Sequence, residues 1–173
     1  YWRQFGHRVA IVRLFNTVGP RQTGRYGMVV PRLVRQALAG EPLTVYGDGH
    51  QTRCFSYVGD IVPAITRISE DERAYGNAYN LGGNHEISIL ALAQRIVELV
   101  GSDSPITLVP YEQAYSEGYE DMRRRVPDNS KAFDLVGFDP KTTVDQIITN
   151  VAADNRTANS TVDALRWNVT LAS

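Results

Sequence analysis

The stretch VAIVRLF, residues 9–15, constrains this chain more than any other. It is almost unbroken apolar and β-branched sequence with one arginine inside. A half-exposed strand alternates apolar with polar, so this pattern predicts a strand buried on both faces of a parallel sheet. Such strands need crossover connections, and the next residues supply one. Asn16 and Thr17 open a Gly-Pro loop carrying arginines. Residues 28–39 then set Val30, Leu33, Val34, Ala37 and Leu38 on one helical stripe, with Pro31 in the first turn and Gly40 as the stop. Buried strand, polar loop and helix N-terminus together make anion-binding geometry.

The same alternation continues. LTVYGDG (43–49) reads as a short strand entering a turn, and RCFSYV (53–58) as a second extended piece. Asp60 is placed to cap a helix reaching about residue 68, with Pro63 early inside it. NAYNLGG (77–83) reads as strand then turn. Residues 88–100 form the clearest helix, with Ser88 as cap, Gly101 as stop and an apolar face of Ile89, Leu92, Ala93, Ile96, Val97 and Val100. ITLVP (106–110) is a strand and 111–127 a loop. Short helices at 130–136 and 143–153 close the ordered part. Residues 153–173 lack sustained periodicity and read as an irregular tail; their three Asn-x-Thr sequons, at Asn155, Asn159 and Asn168, are read as chance. Strands alternating with helices give an α/β class, yet only 9–15 and 77–81 look like central strands, too few for a complete doubly wound sheet.

Bulk numbers narrow the function. The chain has 173 residues, 43% of them hydrophobic and 21% charged, as in one globular domain. A formal net charge of −1 excludes a global basic field that would recruit nucleic acid or an anionic membrane, so any anion site must be local. No apolar run approaches the ~20 residues of a membrane span. The lone cysteine, Cys54, excludes an intramolecular disulfide, and a cytoplasmic setting is the default expectation. The first residues, YWRQFGHR, contain neither an initiating Met nor a signal-type apolar run, which points to a start inside a longer protein.

Candidate chemistry is sparse but consistent. No glycine-rich dinucleotide loop and no phosphate-loop motif occurs. The three histidines are scattered without metal-ligand spacing, and Cys54, inside a strand with no base nearby, reads as a buried structural thiol. Asn16 has an amide that suits either a ligand or the loop backbone. Backbone N–H groups at 26–30, near a helix start, suit a phosphate or plain capping. Arg53 and Arg125 read as surface arginines when taken alone; meeting on a diphosphate they would use the guanidinium fork. LTVY is either an ordinary edge strand or a ledge presenting amides and the Tyr46 ring to a flat base.

The order of these pieces carries more information than any one of them. RLFNTVGPRQTGRYGMVVPRLVRQALAGEPLTVYGDGHQTRCFSYVGDIVPAI, then NLGGNHEISILALAQRIVELVG and RRRVPDNSKAFDLVGFDP, resembles the extended short-chain dehydrogenase/reductase superfamily. More narrowly it resembles the NAD-dependent nucleotide-sugar epimerases, dehydratases and decarboxylases, of the UDP-glucose 4-epimerase and UDP-glucuronate decarboxylase kind. The likeness runs over about residues 9–151 and concerns the C-terminal part of an extended Rossmann-type fold, mainly its smaller substrate-binding subdomain.

That resemblance implies a nucleotide-sugar-binding part at 1–152, followed by the tail. It implies substrate contacts at Asn16, Val29, Val30, Thr44, Val45, Tyr46, Arg53 and Arg125, and the nicotinamide end of an NAD site at Phe15 and Pro20. Phe55 stands where epimerases often have tyrosine. The reaction implied is transient oxidation to a keto-sugar, in which a tyrosine of a Tyr-x-x-x-Lys pair is the base and NAD takes the hydride. The 173 residues hold no such pair: positions four beyond Tyr1, Tyr26, Tyr75 and Tyr115 are Phe5, Val30, Tyr79 and Tyr119, and no other tyrosine meets a lysine. The expectation is therefore a UDP-sugar-binding half, inactive alone, whose full-length form is a homodimer candidate. The competing expectations are a non-catalytic nucleotide-binding or interaction module and an inert fragment.

Overall fold

A computed structural model describes residues 2–23, 28–114 and 121–170. A turn of helix α1 (Trp2–Phe5) precedes strand β1 (Ile11–Phe15), the two-residue β2 (Thr17–Val18) and helix α2 (Val29–Ala39). Then come β3 (Leu43–Tyr46), β4 (Thr52–Cys54), β5 (Ser56–Tyr57) and helix α3 (Val58–Glu70). A short 3₁₀ turn leads to β6 (Ala78–Gly82), β7 (Glu86–Ser88), α4 (Ile89–Val100), β8 (Ile106–Val109) and α5 (Tyr111–Ala114). The described part ends with β9 (Arg124–Arg125), α6 (Ser130–Val136) and α7 (Val144–Thr170).

Pairing is mostly parallel: β1 with β6, β2 with β5, β3 with β8 and β4 with β9, while β4 meets β7 antiparallel. Two cores result. The first packs the apolar stripes of α2, α4 and α7 around Leu43 and Val45 of β3, with Val18 and Phe55 at its margin. The second joins α3 (Ile61, Ala64, Ile68) to Tyr79 and Leu81 of β6, Ala132 of α6 and Phe138.

The helix signals act as their chemistry requires. Ser88 Oγ accepts the Ala91 N–H at 3.1 Å as the α4 cap, and Gly40 and Gly101 end α2 and α4 in the left-handed region at φ 69° and 70°. Without a Cβ, glycine enters that region at no steric penalty.

Several expectations are corrected. β1 is not buried on both faces: Ile11 is 54% and Leu14 51% exposed, and among the described residues only β6 pairs with it. Asp60 does not cap α3; the helix starts at Val58 with Tyr57 in the cap position, and the Asp60 carboxylate instead accepts the Thr142 N–H at 3.2 Å. Residues 111–127 are not only loop, since α5 lies there and β9 forms where β4 offers a free edge. Gly82 belongs to β6 rather than to a turn, and Gly83 lies against the Phe55 carbonyl, leaving no room for a Cβ. The final helix does not stop at residue 153 but runs to Thr170. No proline or glycine interrupts that span. Its short polar side chains bond back to the preceding turn, Asn155 to the Val151 carbonyl and Thr157 to that of Ala153.

Candidate functional site

Register brings the first two candidates together. In the parallel pairing of β4 with β9, Arg53 stands beside Arg125 and Thr52 beside Arg124. Side chains alternate along a strand, so the three consecutive arginines point to different partners. Arg123 bonds Asp48 at 2.6 Å and Arg124 holds Glu86 at 3.0 Å; each arginine keeps its carboxyl below the usual range, for Glu86 after the larger effect of the Thr52 hydroxyl. Arg125 has no carboxylate partner among the described residues. It turns instead to Asn16, whose Oδ1 accepts its Nη2–H at 2.5 Å.

Asn16 sits at the end of β1 with φ 42°, a left-handed conformation that asparagine tolerates better than most residues. Its Nδ2 donates to the Cys54 carbonyl at 2.8 Å, so the amide serves the backbone and the arginine at once. Cys54 itself is fully buried, and burial, followed by the nearby Glu86 charge, pushes its thiol pKa up. A buried thiol kept in its neutral form suits a structural place in the strand.

Asn16, Arg53 and Arg125 line a cleft of about 180 Å³, walled also by Val29, Tyr46, Phe55 and Ile89 and by the polar side chains Arg32, Gln51, Tyr111 and Asp121. Arg53 is only 8% exposed, which corrects the surface-arginine reading. Its Nη1 donates to the Thr52 and Met122 carbonyls, each at 2.7 Å, and its Nη2 to Asp121 Oδ1 at 2.5 Å. Arg32, reaching from the first turn of α2, lies 4.4 Å over the Tyr46 ring and donates to the Thr44 carbonyl at 3.1 Å. The lining carries three guanidiniums against one carboxylate and is net positive, as a local anion site must be in a chain of nearly neutral charge.

The remaining candidates fall beside the cleft. Val30 and Val45 turn into the first core, at 1% and 0% exposure. The Thr44 N–H is already spent on Gln36 Oε1, so it is not presented to a flat base. Phe15 pairs with Gly82 in the β1–β6 ladder, and neither it nor Pro20 lines the cleft. Tyr26 lies outside the described residues. Sequence reasoning missed Arg32, Gln51, Tyr111 and Asp121. Arg32 had a legible signal, one helical turn beyond the α2 start, whereas Tyr111 and Asp121 arrive only through tertiary packing. Among the described residues no three His, Cys, Asp or Glu side chains converge as a metal site would require, and no helix is long and apolar enough to cross a membrane.

Comparison with known proteins bears on the family and the fold. The family model described as GDP-mannose 4,6 dehydratase matches residues 1–151. A UDP-N-acetyl-alpha-D-glucosaminuronate decarboxylase of Bacillus cytotoxicus is 45% identical over 142 residues, which is 82% of this chain and 44% of that protein. UDP-glucuronic acid decarboxylase 1 of Xenopus tropicalis is 41% identical over 140 residues, 81% of this chain and 31% of its own length. Among solved structures, UDP-glucuronic acid 4-epimerase of Bacillus cereus, in complex with UDP-glucuronic acid and NAD, superposes with a TM-score of 0.80 at 26% identity, over 91% of this chain and 48% of that one. UDP-glucose 4-epimerase of Thermotoga maritima, with UDP-glucose, gives the same TM-score, identity and coverage. The chain thus spans less than half the length of these relatives. With residues 1–151 matched and the parallel α/β frame shared, the chain belongs to the GDP-mannose 4,6 dehydratase family, among the NAD-dependent nucleotide-sugar epimerases, dehydratases and decarboxylases of the extended short-chain dehydrogenase/reductase superfamily.

Proposed function

We propose that this chain is the C-terminal, nucleotide-sugar-binding half of an NAD-dependent epimerase or decarboxylase acting on UDP-sugars, and that the cleft between α2, β4 and β9 holds the nucleotide diphosphate. The observation that carries this reading is the convergence of Arg53 and Arg125 on adjacent strands, with Asn16 beside them, in a net positive cleft. Arg125 reaches the phosphates while Asn16 orients it, and charge-assisted bonds from a guanidinium fork are strong enough to anchor a diphosphate. Tyr46, with Arg32 stacked on it, forms the flat wall for the base. UDP-sugar decarboxylases and epimerases among the relatives support the uridine nucleotide.

The residues present do not by themselves fit a dinucleotide. The two matched to its nicotinamide end, Phe15 and Pro20, lie outside the cleft, and the 173 residues contain no glycine-rich loop and no Tyr-x-x-x-Lys pair. NAD, when bound in the intact enzyme, supplies hydride transfer; these residues supply binding and orientation of the sugar nucleotide. Turnover by this chain alone is not expected.

The test is direct. A ligand that binds only the folded state must stabilise it, so UDP and UDP-sugars at millimolar concentration are expected to raise the melting temperature. Arg125→Ala is expected to weaken UDP binding by about 1.5–3 kcal/mol, the range for a hydrogen bond to a charged group. No thermal shift with any uridine nucleotide would sink the assignment.

A further inference from the structure

A carboxylate in an anion-binding cleft is a paradox, and the geometry around Asp121 resolves it. The Asp121 carboxylate lies at 2.5 Å from Arg53, with the two side chains only 22% and 10% exposed. Its other oxygen accepts the Tyr111 hydroxyl at 3.1 Å. Tyr111 in turn accepts from Gln51 Nε2 at 2.9 Å, and the same Nε2 donates to the Tyr46 carbonyl at 2.9 Å. Donor directions are fixed along the whole chain. A backbone carbonyl only accepts, so Gln51 must present its NH₂ to Tyr46 and Tyr111, and the Tyr111 hydroxyl proton is left for the acceptor Asp121. Gln51 is 5% exposed, and its Oε1 is buried with no partner among the described residues, as expected of an amide turned by these two bonds rather than by its own needs.

At the far end the guanidinium of Arg53 is held on two sides. Three of its five N–H groups are engaged by the Thr52 and Met122 carbonyls and by Asp121. The rest have no acceptor among the described residues. A side chain held this way has already lost its rotamer freedom before a ligand arrives, so less is lost on binding. Removing Asp121 would leave a largely buried cation without its counter-charge and with its Nη2 unheld, next to the like charge of Arg125.

We propose that Gln51, Tyr111 and Asp121 form a hydrogen-bonded strut that presets Arg53 for a diphosphate and ties it to the Tyr46 end of the cleft. Asp121 is thus a positioning residue whose negative charge strengthens anion binding. The inference rests on the nucleotide-diphosphate reading of the cleft. It makes a prediction opposite in sign to simple electrostatics, under which removing a negative charge from an anion site tightens binding.

The experiment compares UDP with uridine on the 173-residue chain by calorimetry. Asp121→Asn is expected to lower UDP affinity about tenfold or more, as loss of a charge-assisted contact does, with uridine affinity little changed. Tyr111→Phe deletes only the hydroxyl at the middle of the strut, keeps the ring, and is expected to lower UDP affinity by several-fold. It carries the test if Asp121→Asn fails to fold. UDP binding to either folded variant as tightly as to the unaltered chain, or more tightly, would overturn the strut while leaving the nucleotide assignment standing. Absence of UDP binding to the unaltered chain would overturn both.

Discussion

Asn16 shows how one residue can serve fold and site together. Its backbone takes φ 42°, its Nδ2 ties β1 to the Cys54 carbonyl, and its Oδ1 receives Arg125. Asn16→Ala keeps a Cβ in a left-handed conformation and removes both side-chain bonds; a loss of about 1–3 kcal/mol in urea unfolding is expected. Asn16→Gly loses the same bonds but relieves the strain, so it should be less destabilised than the alanine variant. An equal or reversed order would show that the conformation carries no strain. Asn16 was legible in the sequence because it follows a strongly patterned strand. Arg53 and Arg125 were legible as candidates only through their surroundings, since an isolated arginine carries no signal of burial. The contacts of Asp121 and Tyr111 were not legible at all: they depend on where Arg53 lies, and no local pattern records that.

At the scale of elements, local chemistry fixed most boundaries. Ser88 and the glycines at positions 40 and 101 start or end helices as their backbone and side-chain preferences dictate. The failures have physical causes too. Asp60 sits in the first turn of α3, where its charge favours the helix N-terminus, but its carboxylate is drawn to the backbone of Thr142. Helix α7 outruns its apolar stripe because nothing in the sequence breaks it. Its docking against α4 is reinforced by Arg95, which holds Asp145 through bonds of 2.8 and 2.6 Å. The arginine keeps the Asp145 carboxyl below its usual range. An acid with a lowered folded pKa contributes stability above its unfolded value, about 3.9, and loses it as pH falls through the folded one. Asp145→Asn is therefore expected to melt earlier than the unaltered chain at neutral pH, with the gap closing as the pH is taken below about 4. Both groups are partly exposed, so salt should shrink the gap at neutral pH. A gap independent of pH would assign the effect to packing.

Over the whole molecule, two cores stand on one frame of short parallel pairs, and β1 carries the consequence. Its sequence has two apolar faces, and neither is fully covered among the described residues, Ile11 lying on one and Leu14 on the other. Trp2, Phe5, Val9, Ile11 and Leu14 are all exposed, and one edge of β1 pairs with nothing else described. Such an edge is a template for association. Replacing Ile11 and Leu14 together by threonine keeps β propensity and is expected to reduce light scattering on concentration, with the melting temperature little changed. A large drop in melting temperature would mean that these side chains are part of the core.

The sequence by itself determined the α/β class, the positions of the principal strands and helices, and the family, because periodicity, caps and turn residues act locally and their order along the chain is preserved. Only the tertiary structure decided which arginines meet. Arg53 and Arg125 are brought side by side by the register of β4 against β9, and Asp121 and Tyr111 by the packing that register allows. Contacts between residues far apart in sequence depend on strand pairing and on the closure of a shared core, and neither leaves a local trace in the residues it joins.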